Sequence, residues 1–597
     1  MNISKNGFFR RIKGKDMRKS YRDGKIIVAG KFFEEVVFDV SSNELHVKFD
    51  GRGGITDYTV VNQSVGYVTR TFLGVFINGE NVGAFCDKTV ECGGRMQKIV
   101  LKKGGVRITV LQFVPIESNA VFYEIKASEA GDYDFVFDLG RATKRFNYAT
   151  NAENRFVSEN AAVSLHTDKS ARLVLSYDTD AAYCRKLLSR FATLKKQVVD
   201  ELRSVKIPAS AKTEKDKALY VASIFAALEN YKEIGAYKGF SAGCVYNQPI
   251  RTYFSDSFFV ELAMMKSRPV LVKNHILTLA HGIGENGDCP SSITFELRPW
   301  LRNFYDSATS FVATVYDYVN HTGDFSILDE KAGERTVYQL CLLAMDNLSK
   351  YEDENALVVK GGRFNNRDWA DEINRTGYVT YVELLYARAL WCLSRIVGTR
   401  DKIRARRYNE MFLRTKNAIN ALLWDDEKGY YINYRDGDFV EDNLSVDTIL
   451  AVLFGISDKK QTERLLDNFS AILETKNNRD QQAGDFGVAC VWPPYRGTDR
   501  LFNRSTQQYE FHNGAVWPCW APFVAYAQKM NGRDHTYALL SSFDWCVKHG
   551  YYTVIKCYSP CGADAVPLFT ANCNFAWYYD WADGDYFKEN EAVWKTK

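Results

Sequence analysis

The segment Arg367–Gly377 is the part of the sequence best suited to acid–base chemistry. It reads Arg-Asp-Trp-Ala-Asp-Glu-Ile-Asn-Arg-Thr-Gly, so Asp368, Asp371 and Glu372 lie within five residues, next to Trp369 and ahead of an amphipathic helix. Like charges at this spacing oppose one another's ionisation, which raises the pKa of at least one carboxyl group. The alternative is a solvated acidic first turn of a helix, which the helix dipole favours.

A partly buried carboxylic acid with a raised pKa can protonate the leaving oxygen of a glycosidic bond. The opposite face of the sugar then needs a water molecule held by a base, a carboxylate nucleophile or a phosphate ion. Aromatic residues make up 14% of the chain, and sugar rings pack their C–H faces on aromatic rings. Trp300, Trp369 and Trp517 are therefore candidate stacking residues, and a place in the core is the equal alternative for each.

The Asp-Trp-Ala-Asp-Glu-Ile-Asn-Arg-Thr-Gly run resembles the Asp-Trp-Asn-Asp motif of cellobiose and chitobiose phosphorylases. It also resembles the Trp-x-Asp motif of amylo-α-1,6-glucosidase (glycogen-debranching-type) proteins. In both families the Asp two positions after the Trp is the general acid, so the resemblance implies that role for Asp371. The resemblance is to the six-hairpin (α/α)6-barrel glycosidase superfamily.

Further segments resemble the same families in the same order along the chain, over roughly residues 220–584. Residues 251–257 resemble a sugar-gripping segment, and residues 305–308 with 318–330 resemble a Ser-Asp-Asp…Thr-Gly-Asp…Leu-Asp-Glu stretch of the phosphorylases. Residues 381–386 lie where these families carry a substrate-side Glu, and residues 509–518 resemble the Tyr-His-Asn-Gly-x-Val-Trp-Pro motif of debranching-type enzymes.

The resemblance implies a set of residues around the sugar next to the cleaved bond. For His512 the expected partner is a sugar hydroxyl, or phosphate in a phosphorylase, and a structural hydrogen bond at a helix start is the alternative. The expected substrate-binding residues are Arg251, Tyr253, Asp256, Asp306, Asp368, Trp369, Glu372, Glu383, His512 and Trp517.

The sequence indicates the catalytic base less clearly than the general acid. Many relatives carry the base near the chain end in a Glu-x-Tyr-x-Pro pattern, but the matching stretch here is Lys556-Cys-Tyr-Ser-Pro, with no carboxylate at its first position. Glu510, directly before the His-Asn-Gly-Ala-Val-Trp-Pro motif, is the first candidate for the base, and Asp485 is the second. An ordinary loop carboxylate is the alternative for Glu510.

From these residues we expect an inverting glycoside hydrolase that acts on an oligosaccharide or an α-glucan. The alternative is an inverting phosphorylase, in which phosphate replaces water, and the missing carboxylate at residue 556 favours it. A polysaccharide lyase or a sugar epimerase on the same barrel is less expected. Lyases of acidic polymers usually need a basic cleft and a Tyr/His pair, and eight His residues with a net charge of +4 give little support for either. Sugar binding without turnover is the remaining alternative.

The elements that must position these residues change character along the chain. Short alternating runs separated by Gly, Asn and Asp clusters predict a β-sandwich. The predicted strands are Lys25–Ala29, Glu44–Phe49, Arg70–Ile77, Lys98–Leu101, Arg107–Phe113, Ala120–Ile125, Tyr133–Leu139, Ala162–His166 and Arg172–Tyr177.

Beyond a helical stretch at 183–202 and a linker around Pro208, the i, i+3, i+4 apolar spacing predicts helices, as six helical hairpins require. We therefore expect an N-terminal antiparallel β-sandwich at 1–205, a helical linker at about 183–215 and an all-α (α/α)6 barrel at 216–597. The predicted helices are 213–232, 253–267, 269–285, 304–322, 325–350, 378–398, 400–424, 444–456, 459–475, 512–530, 533–549 and 570–584.

Charge and composition restrict the partners. The 77 basic and 73 acidic residues are well mixed, so no stripe for nucleic acid is indicated. No apolar leader or 18-residue apolar run is present, which predicts a cytoplasmic enzyme without membrane contact. The expected partner is a carbohydrate substrate. No cofactor and no metal are expected, because no His, Cys or carboxylate cluster has convincing ligand spacing, and the oligomeric state is open.

Overall fold

The computed structural model describes residues 18–30, 37–60, 66–67, 72–82, 87–138, 146–154, 162–177, 179–241, 243, 249–361, 367–495, 500–560, 568–569 and 574–595. The chain divides into two compact units. The first unit contains Met1–Glu229, Asn247–Pro249 and Cys546–Val554, and the second contains Asn230–Tyr246, Ile250–Trp545 and Ile555–Lys597. The domain boundary expected between the β-sandwich, ending at residue 205, and the barrel, starting at residue 216, stays a prediction.

The strands of the first unit form antiparallel sheets of eight, five and four strands, in the orders β1-β2-β9-β10-β11-β12-β17-β14, β15-β16-β13-β7-β8 and β3-β4-β5-β6. The strands are β1 Arg18–Arg22, β2 Lys25–Gly30, β3 Val37–Ser41, β4 Leu45–Asp50, β5 Ile55–Val60, β6 Gly66–Tyr67, β7 Phe72–Ile77, β8 Glu80–Asn81, β9 Asp87–Gly93, β10 Met96–Lys103, β11 Val106–Phe113, β12 Ala120–Ala127, β13 Tyr133–Asp138, β14 Phe146–Thr150, β15 Glu153–Asn154, β16 Ala162–Thr167 and β17 Ser170–Tyr177.

Aromatic residues pack the sheets of the first unit against one another. Tyr58 of β5 lies edge-on to Phe146 of β14, with ring centroids 5.2 Å apart, and Tyr123 of β12 lies edge-on to Phe137 of β13 at 4.9 Å. In the β10–β11 hairpin, Gly104 and Gly105 have positive φ values of 56° and 88°, which a two-residue turn of this hand needs. The predicted β-sandwich is therefore present.

The helices are α1 Ala181–Ser189, α2 Phe191–Ser204, α3 Glu214–Asn230, α4 Phe254–Met264, α5 Pro269–His281, α6 Ser307–Thr322, α7 Val337–Leu348, α8 Thr380–Gly398, α9 Lys402–Leu422, α10 Leu450–Leu453, α11 Lys459–Asn468, α12 Ala521–Met530, α13 Thr536–Lys548, α14 Phe575–Asp580 and α15 Glu591–Trp594.

Short strands connect these helices. They are β18 Tyr231–Ile234, β19 Tyr237–Phe240, β20 Arg251–Tyr253, β21 Pro290–Thr294, β22 Pro299–Asn303, β23 Lys331–Ala332, β24 Arg335–Thr336, β25 Tyr378–Val379, β26 Trp424–Asp425, β27 Tyr430–Tyr431, β28 Tyr434–Asp436, β29 Phe439–Glu441, β30 Leu444–Ser445, β31 Val491–Trp492, β32 Ile555–Cys557 and β33 Leu568–Phe569.

Six helices of the second unit close into a ring. Each of α4, α6, α8, α10, α12 and α14 contacts the next one in this order, and α14 contacts α4. Helices that are apolar on all sides belong inside a fold, and α6 is accordingly buried from Ser307 to Asn320. Helix α9, which packs on α8, buries only Tyr408, Thr415 and Ile419, so it lies outside the ring. This inner and outer alternation is the predicted (α/α)6 arrangement.

The predicted strands are found within a few residues, except that Arg70 and Leu139 lie outside the described residues. Most predicted helices are also present. The single helix predicted at 325–350 is wrong, because the chain turns at Gly333 (φ 66°), and α7 begins only after Thr336, whose side chain forms a capping box with Gln339.

Three other predicted helices are shorter than expected. The helix predicted at 512–530 begins as α12 at Ala521, because Gly514 (φ 105°) and a 3₁₀ turn at Pro518–Trp520 come first. The one predicted at 444–456 contains β30, a 3₁₀ turn at Val446–Ile449 and the short α10. In the one predicted at 570–584, residues 570–573 lie outside the described part and α14 covers Phe575–Asp580.

A buried ion pair inside the ring gives a test of stability. Arg388 of α8 donates to Asp317 of α6 at 3.1 Å and to the Phe587 carbonyl at 3.2 Å, and both side chains of the ion pair are almost fully buried. Loss of one partner of such a pair leaves a buried charge uncompensated and costs about 3–5 kcal/mol. Arg388→Ala should therefore lower the urea midpoint strongly.

The matched control is Arg404→Ala on α9. Arg404 pairs with Asp346 at 2.7 Å, but 38% and 51% of the two side chains are exposed. Pairs of this kind contribute about 0–1 kcal/mol. Equal losses of stability in the two variants would contradict the ring packing described above.

Candidate active site

The first turn of α4 and the segments that precede α6, α8 and α12 line one cavity of about 190 Å³ in the second unit. Ser255 and Asp256 lie in the first turn of α4, and Trp517 precedes the 3₁₀ turn that leads into α12. The described residues that line the cavity are Tyr253, Ser255, Asp256, Phe259, Phe304, Asp368, Trp369, Asp371, Phe511, His512, Trp517, Cys519 and Lys556.

The acidic segment forms turns rather than the first turn of a helix. The Ala370 amide donates to Asp368 Oδ1 at 2.9 Å, the Ile373 amide donates to the Ala370 carbonyl at 2.9 Å, and α8 starts only at Thr380. Asp368 is fully buried and Glu372 is almost so. The alternative of a solvated helix start is therefore wrong.

Asp371 has the properties of a proton donor. Burial among the cavity walls and the negative charges of Glu372 and Asp256 raise the pKa of its carboxyl group to about 7, although the positive charges of Arg367 and Lys556 act in the opposite direction. The side chain keeps 40% of its surface accessible and lies 3.9 Å from His512 Nδ1. An acid of this pKa is protonated in much of the population near neutral pH and can reach a ligand in the cavity.

Asp368 is held as a carboxylate by two buried cations. Lys360 Nζ lies 2.7 Å from Asp368 Oδ2, and the Arg375 guanidinium donates to Asp368 Oδ1. Together the two cations lower the pKa of Asp368 well below its usual range, and burial lowers the pKa of Lys360 to about 8. The turn that carries Asp371 is thereby anchored at its first residue.

Trp369 is fixed by a second carboxylate, Asp447. The indole Nε1 donates to Asp447 Oδ2 at 2.7 Å, and Arg375 Nη1 donates to the same oxygen at 2.9 Å. The Trp369 ring stands edge-on to Trp517 at 5.8 Å and to His512 at 5.3 Å. Trp369 and Trp517 are thus rigid aromatic walls of the cavity.

His512 stacks on one of these walls. Its ring is nearly parallel to that of Trp517, with centroids 4.6 Å apart and an angle of 11°. The imidazole also contacts the ring of Phe511 at 4.3 Å. This packing fixes the plane of the imidazole beside Asp371.

Across the cavity, Asp256 pairs with a lysine. The Lys556 ammonium group donates to Asp256 Oδ1, and only 6% of the Lys556 side chain is exposed. Lys556 belongs to β32 and occupies the position at which many relatives are expected to carry a carboxylate base. A cation therefore faces the proposed proton donor.

Several predicted site residues lie outside the cavity lining. Tyr381 donates to Asp306 at 3.2 Å, and burial together with the Asp368 charge raises the pKa of Asp306 to about 8. Glu383 accepts from the Val358 amide at 3.1 Å, and burial raises the pKa of its carboxyl group. Both carboxyl groups lie fully buried among protein groups.

Three further candidates lie around the cavity. Glu372 accepts from Ser505 Oγ at 3.2 Å. Arg251 Nε donates to Tyr253 Oη at 3.0 Å. Glu510 is part of a turn in which its carbonyl accepts from the Asn513 amide at 2.8 Å, and it does not line the cavity. Its role as a base stays a prediction, as does that of Asp485, which accepts from Tyr537.

Four residues of the site were not expected from the sequence: Lys556, Asp447, Arg375 and Lys360. The missing carboxylate at residue 556 was a signal for the first of these. Arg375 lies within the Asp-Trp-Ala-Asp-Glu-Ile-Asn-Arg run, but no role was expected for it, and Lys360 and Asp447 carry no motif of their own. Only the fold brings Lys360 to Asp368 and Asp447 to Trp369. Among the described residues, no group of three or more His, Cys, Asp or Glu could hold a metal ion.

Comparison with known sequences gives the chemistry of the relatives. Residues 301–539 match the family model for the Glycosyl hydrolase 94 superfamily, catalytic domain. The chain is 30% identical over 172 residues to the N,N'-diacetylchitobiose phosphorylase of Vibrio furnissii, covering 26% of this chain and 21% of that protein. It is 26% identical over 219 residues to the cellobionic acid phosphorylase of Neurospora crassa, covering 33% and 25%. The matches thus span a fifth to a quarter of these relatives.

Comparison with solved structures gives the fold. A bacterial glucoamylase complexed with acarbose has a TM-score of 0.63 at 12% identity, over 97% of this chain and 99% of that chain. A human-microbiome protein assigned as a kojibiose phosphorylase has a TM-score of 0.51 at 9% identity, over 94% and 89%. These structures share the fold that the resemblance to the six-hairpin (α/α)6-barrel glycosidase superfamily implies.

The helices were also compared with the requirements of a membrane span. Over the part of the chain that the structure describes, none of them combines the length and the apolar character needed to cross a bilayer.

The pKa of Asp371 gives a test of its role. The protonated form exists below about pH 7 and is lost above it, so kcat/KM should fall as the pH rises through about 7. Glu372→Gln removes a charge that raises this pKa and should move the alkaline limb to lower pH. Arg367→Gln removes a charge that lowers it and should move the limb to higher pH. Shifts in the same direction, or none, would exclude Asp371 as the titrating acid.

Proposed function

We propose that the chain cleaves a disaccharide by inverting phosphorolysis, with phosphate in place of water. The observation that carries the proposal is Lys556, a nearly buried cation in the same cavity as Asp371. Phosphorolysis is the alternative reaction expected from the sequence, and the inverting hydrolase was the first expectation.

Hydrolysis with inversion needs a carboxylate that activates water. Within the described lining of the cavity, the carboxyl groups are those of Asp256, Asp368 and Asp371. Asp368 is bound by Lys360 and Arg375, and Asp256 is bound by Lys556. With Asp371 as the acid, neither remaining carboxylate is well placed to take a proton from water.

Phosphorolysis makes the opposite demand, because the nucleophile is itself an anion. Lys556 supplies a positive charge, and Ser255 and Asp256 in the first turn of α4 line the same cavity, so the N-terminal end of a helix, which favours anions, adjoins it. His512 is held by stacking on Trp517 and offers a ring N–H to a phosphate oxygen. The cavity is therefore better suited to hold phosphate than to activate water.

The steps follow from this placement. Asp371 gives its proton to the glycosidic oxygen while a phosphate oxygen attacks the anomeric carbon from the opposite face. The bond from that carbon to the leaving oxygen breaks, and its electron pair accepts the proton. The products are a sugar 1-phosphate of inverted configuration and a sugar with a free hydroxyl group. No further base is needed, because phosphate attacks as an anion.

The relatives support the same reaction class. The V. furnissii and N. crassa proteins are both named as phosphorylases of disaccharide-type substrates. Both matches cover a minor part of those proteins, and the likeness to glucoamylase concerns the fold alone. A disaccharide is therefore the substrate class that we propose, and N,N'-diacetylchitobiose, cellobionic acid and kojibiose are the first candidates.

The direct experiment incubates the chain with each of these three disaccharides, with and without inorganic phosphate, and follows the phosphorus signal by NMR. We expect a sugar 1-phosphate to form only when phosphate is present. Release of two free sugars at the same rate with and without phosphate would show hydrolysis and would return the base to Glu510 or Asp485.

Asp371→Asn should reduce turnover of the disaccharide by about 10²–10⁴-fold, because a positioned proton donor contributes about that much. A glycosyl fluoride of the same sugar and anomer needs little protonation of its leaving group and should lose much less. The comparison of the two substrates in one variant separates loss of the proton from misfolding. Equal losses on both substrates would contradict the role of Asp371 as acid.

Lys556→Met should raise the KM for phosphate by at least tenfold, as expected when a charge-assisted hydrogen bond of about 1.5–3 kcal/mol is lost. Lys556→Arg keeps the charge and is the matched control, so it should recover part of the affinity. Glu510→Gln should leave turnover close to that of the wild type. A large loss with Glu510→Gln and an unchanged KM for phosphate with Lys556→Met would favour the hydrolase.

A further inference from the structure

A three-stranded sheet extends the wall of the cavity outwards. Strands β20, β21 and β22 pair in that order, with Tyr253 opposite Ser292 and Ser292 opposite Trp300. Residues that lie directly opposite each other on antiparallel strands project from the same face. Tyr253, which lines the cavity, and Trp300 therefore share one face of this sheet, with the small side chain of Ser292 between them.

Arg251 joins the two rings. Arg251 and Tyr253 are two residues apart on β20, so they project from the same face. The Arg251 guanidinium lies 5.6 Å from the centre of the Tyr253 ring and 5.9 Å from that of Trp300. Its Nε donates to Tyr253 Oη at 3.0 Å. Arg251, Tyr253 and Trp300 thus form a continuous surface, here called the sheet platform.

The outer end of the sheet platform is open. Trp300 is 38% exposed, although large aromatic rings are usually buried. Both Ser291 and Ser292 donate their hydroxyl groups to the Trp300 carbonyl, at 3.1 and 3.0 Å, so the backbone that carries this ring is fixed. The next residue, Leu301, has a φ of 61°, in the left-handed region that Leu rarely adopts. An exposed indole on a fixed backbone, on the same sheet face as a residue that lines the cavity, is suited to contact a ligand.

The size of the cavity indicates which part of the ligand reaches the sheet platform. A volume of about 190 Å³ is below the roughly 300–1,000 Å³ of pockets that enclose drug-sized ligands. It accommodates one sugar ring near Asp371, while the leaving sugar of a disaccharide must extend beyond it. Tyr253 belongs to both the cavity and the sheet platform, so the platform continues the path of the substrate.

From this arrangement we infer that the sheet platform is the binding site for the leaving-group sugar. One pyranose ring stacks its C–H face on the Trp300 indole, and its hydroxyl groups accept hydrogen bonds from the Arg251 guanidinium. The inference rests on the proposed cleavage of a disaccharide, and it names Trp300 as a specificity-determining residue on the leaving-group side.

The test measures binding first, because binding does not depend on the reaction. Saturation-transfer NMR is recorded with N,N'-diacetylchitobiose, cellobionic acid and kojibiose on the wild type, Trp300→Ala, Trp300→Phe and Ile403→Ala. Ile403 is 82% exposed on α9 and serves as the control for loss of an exposed apolar side chain. We expect transfer to the leaving-group sugar to be lost in Trp300→Ala, retained in part in Trp300→Phe and unchanged in Ile403→Ala.

Kinetics give the second readout. The ratio of kcat/KM for the disaccharide to kcat/KM for the matching glycosyl fluoride should fall about three- to tenfold in Trp300→Ala, the range expected for loss of a stacked ring. The fluoride has no second sugar, so the ratio isolates the leaving-group side. The ratio should stay constant in Ile403→Ala.

The possible outcomes separate the two proposals. Transfer to the leaving-group sugar that depends on Trp300, without formation of a sugar 1-phosphate, would overturn the phosphorolysis and keep the sheet platform. Phosphorolysis with an unchanged kinetic ratio and unchanged transfer in Trp300→Ala would overturn the platform alone. Absence of transfer to the leaving-group sugar of all three disaccharides in the wild type would overturn it as well.

Discussion

The charge of Asp368 is the constraint on which the geometry of the site depends. A carboxylate with no exposed surface is unstable unless cations compensate it, and here Lys360 and Arg375 do so from opposite sides. Arg375 is shared with Asp447, which in turn fixes the Trp369 indole. One network of buried charges therefore sets the position of the turn that presents Asp371 and of the aromatic wall beside it. Asp371 itself lines the cavity with a pKa of about 7, so its carboxyl group can change its protonation state near neutral pH.

The ring of inner helices explains why distant segments meet at this network. The start of α4 and the loops that precede α8 and α12 line the same cavity. Lys556 and Asp256 are 300 residues apart in the chain and are in contact there. The outer helices contribute no lining residue among those described, so their sequences are free to stay polar, as in α9. The division between apolar inner and polar outer helices thus separates the chemistry from the support.

Much of the fold and part of the site could be predicted from local patterns. The Asp-Trp-Ala-Asp run and the His-Asn-Gly-Ala-Val-Trp-Pro run led to Trp369, Asp371, His512 and Trp517, which all line the cavity. The depth at which a side chain is buried could not be predicted. Spacing along the sequence does not tell whether Asp306 and Glu383 reach the cavity or lie buried beside it. The direction of the backbone in the loop around Glu510 could not be predicted either. Tyr509 and Phe511 adopt positive φ values of 68° and 42°, and Glu510 does not line the cavity although Phe511 does.

In the proposed reaction phosphate, not water, attacks the anomeric carbon from the face opposite Asp371. Phosphate labelled with ¹⁸O on all four oxygens tests this most directly, because the attacking oxygen becomes the bridge of the product. Attack by phosphate should give a sugar 1-phosphate that retains all four labelled oxygens, one of them bound to the anomeric carbon, with inverted configuration. Free sugar without label, formed while the labelled phosphate remains unconsumed, would contradict it.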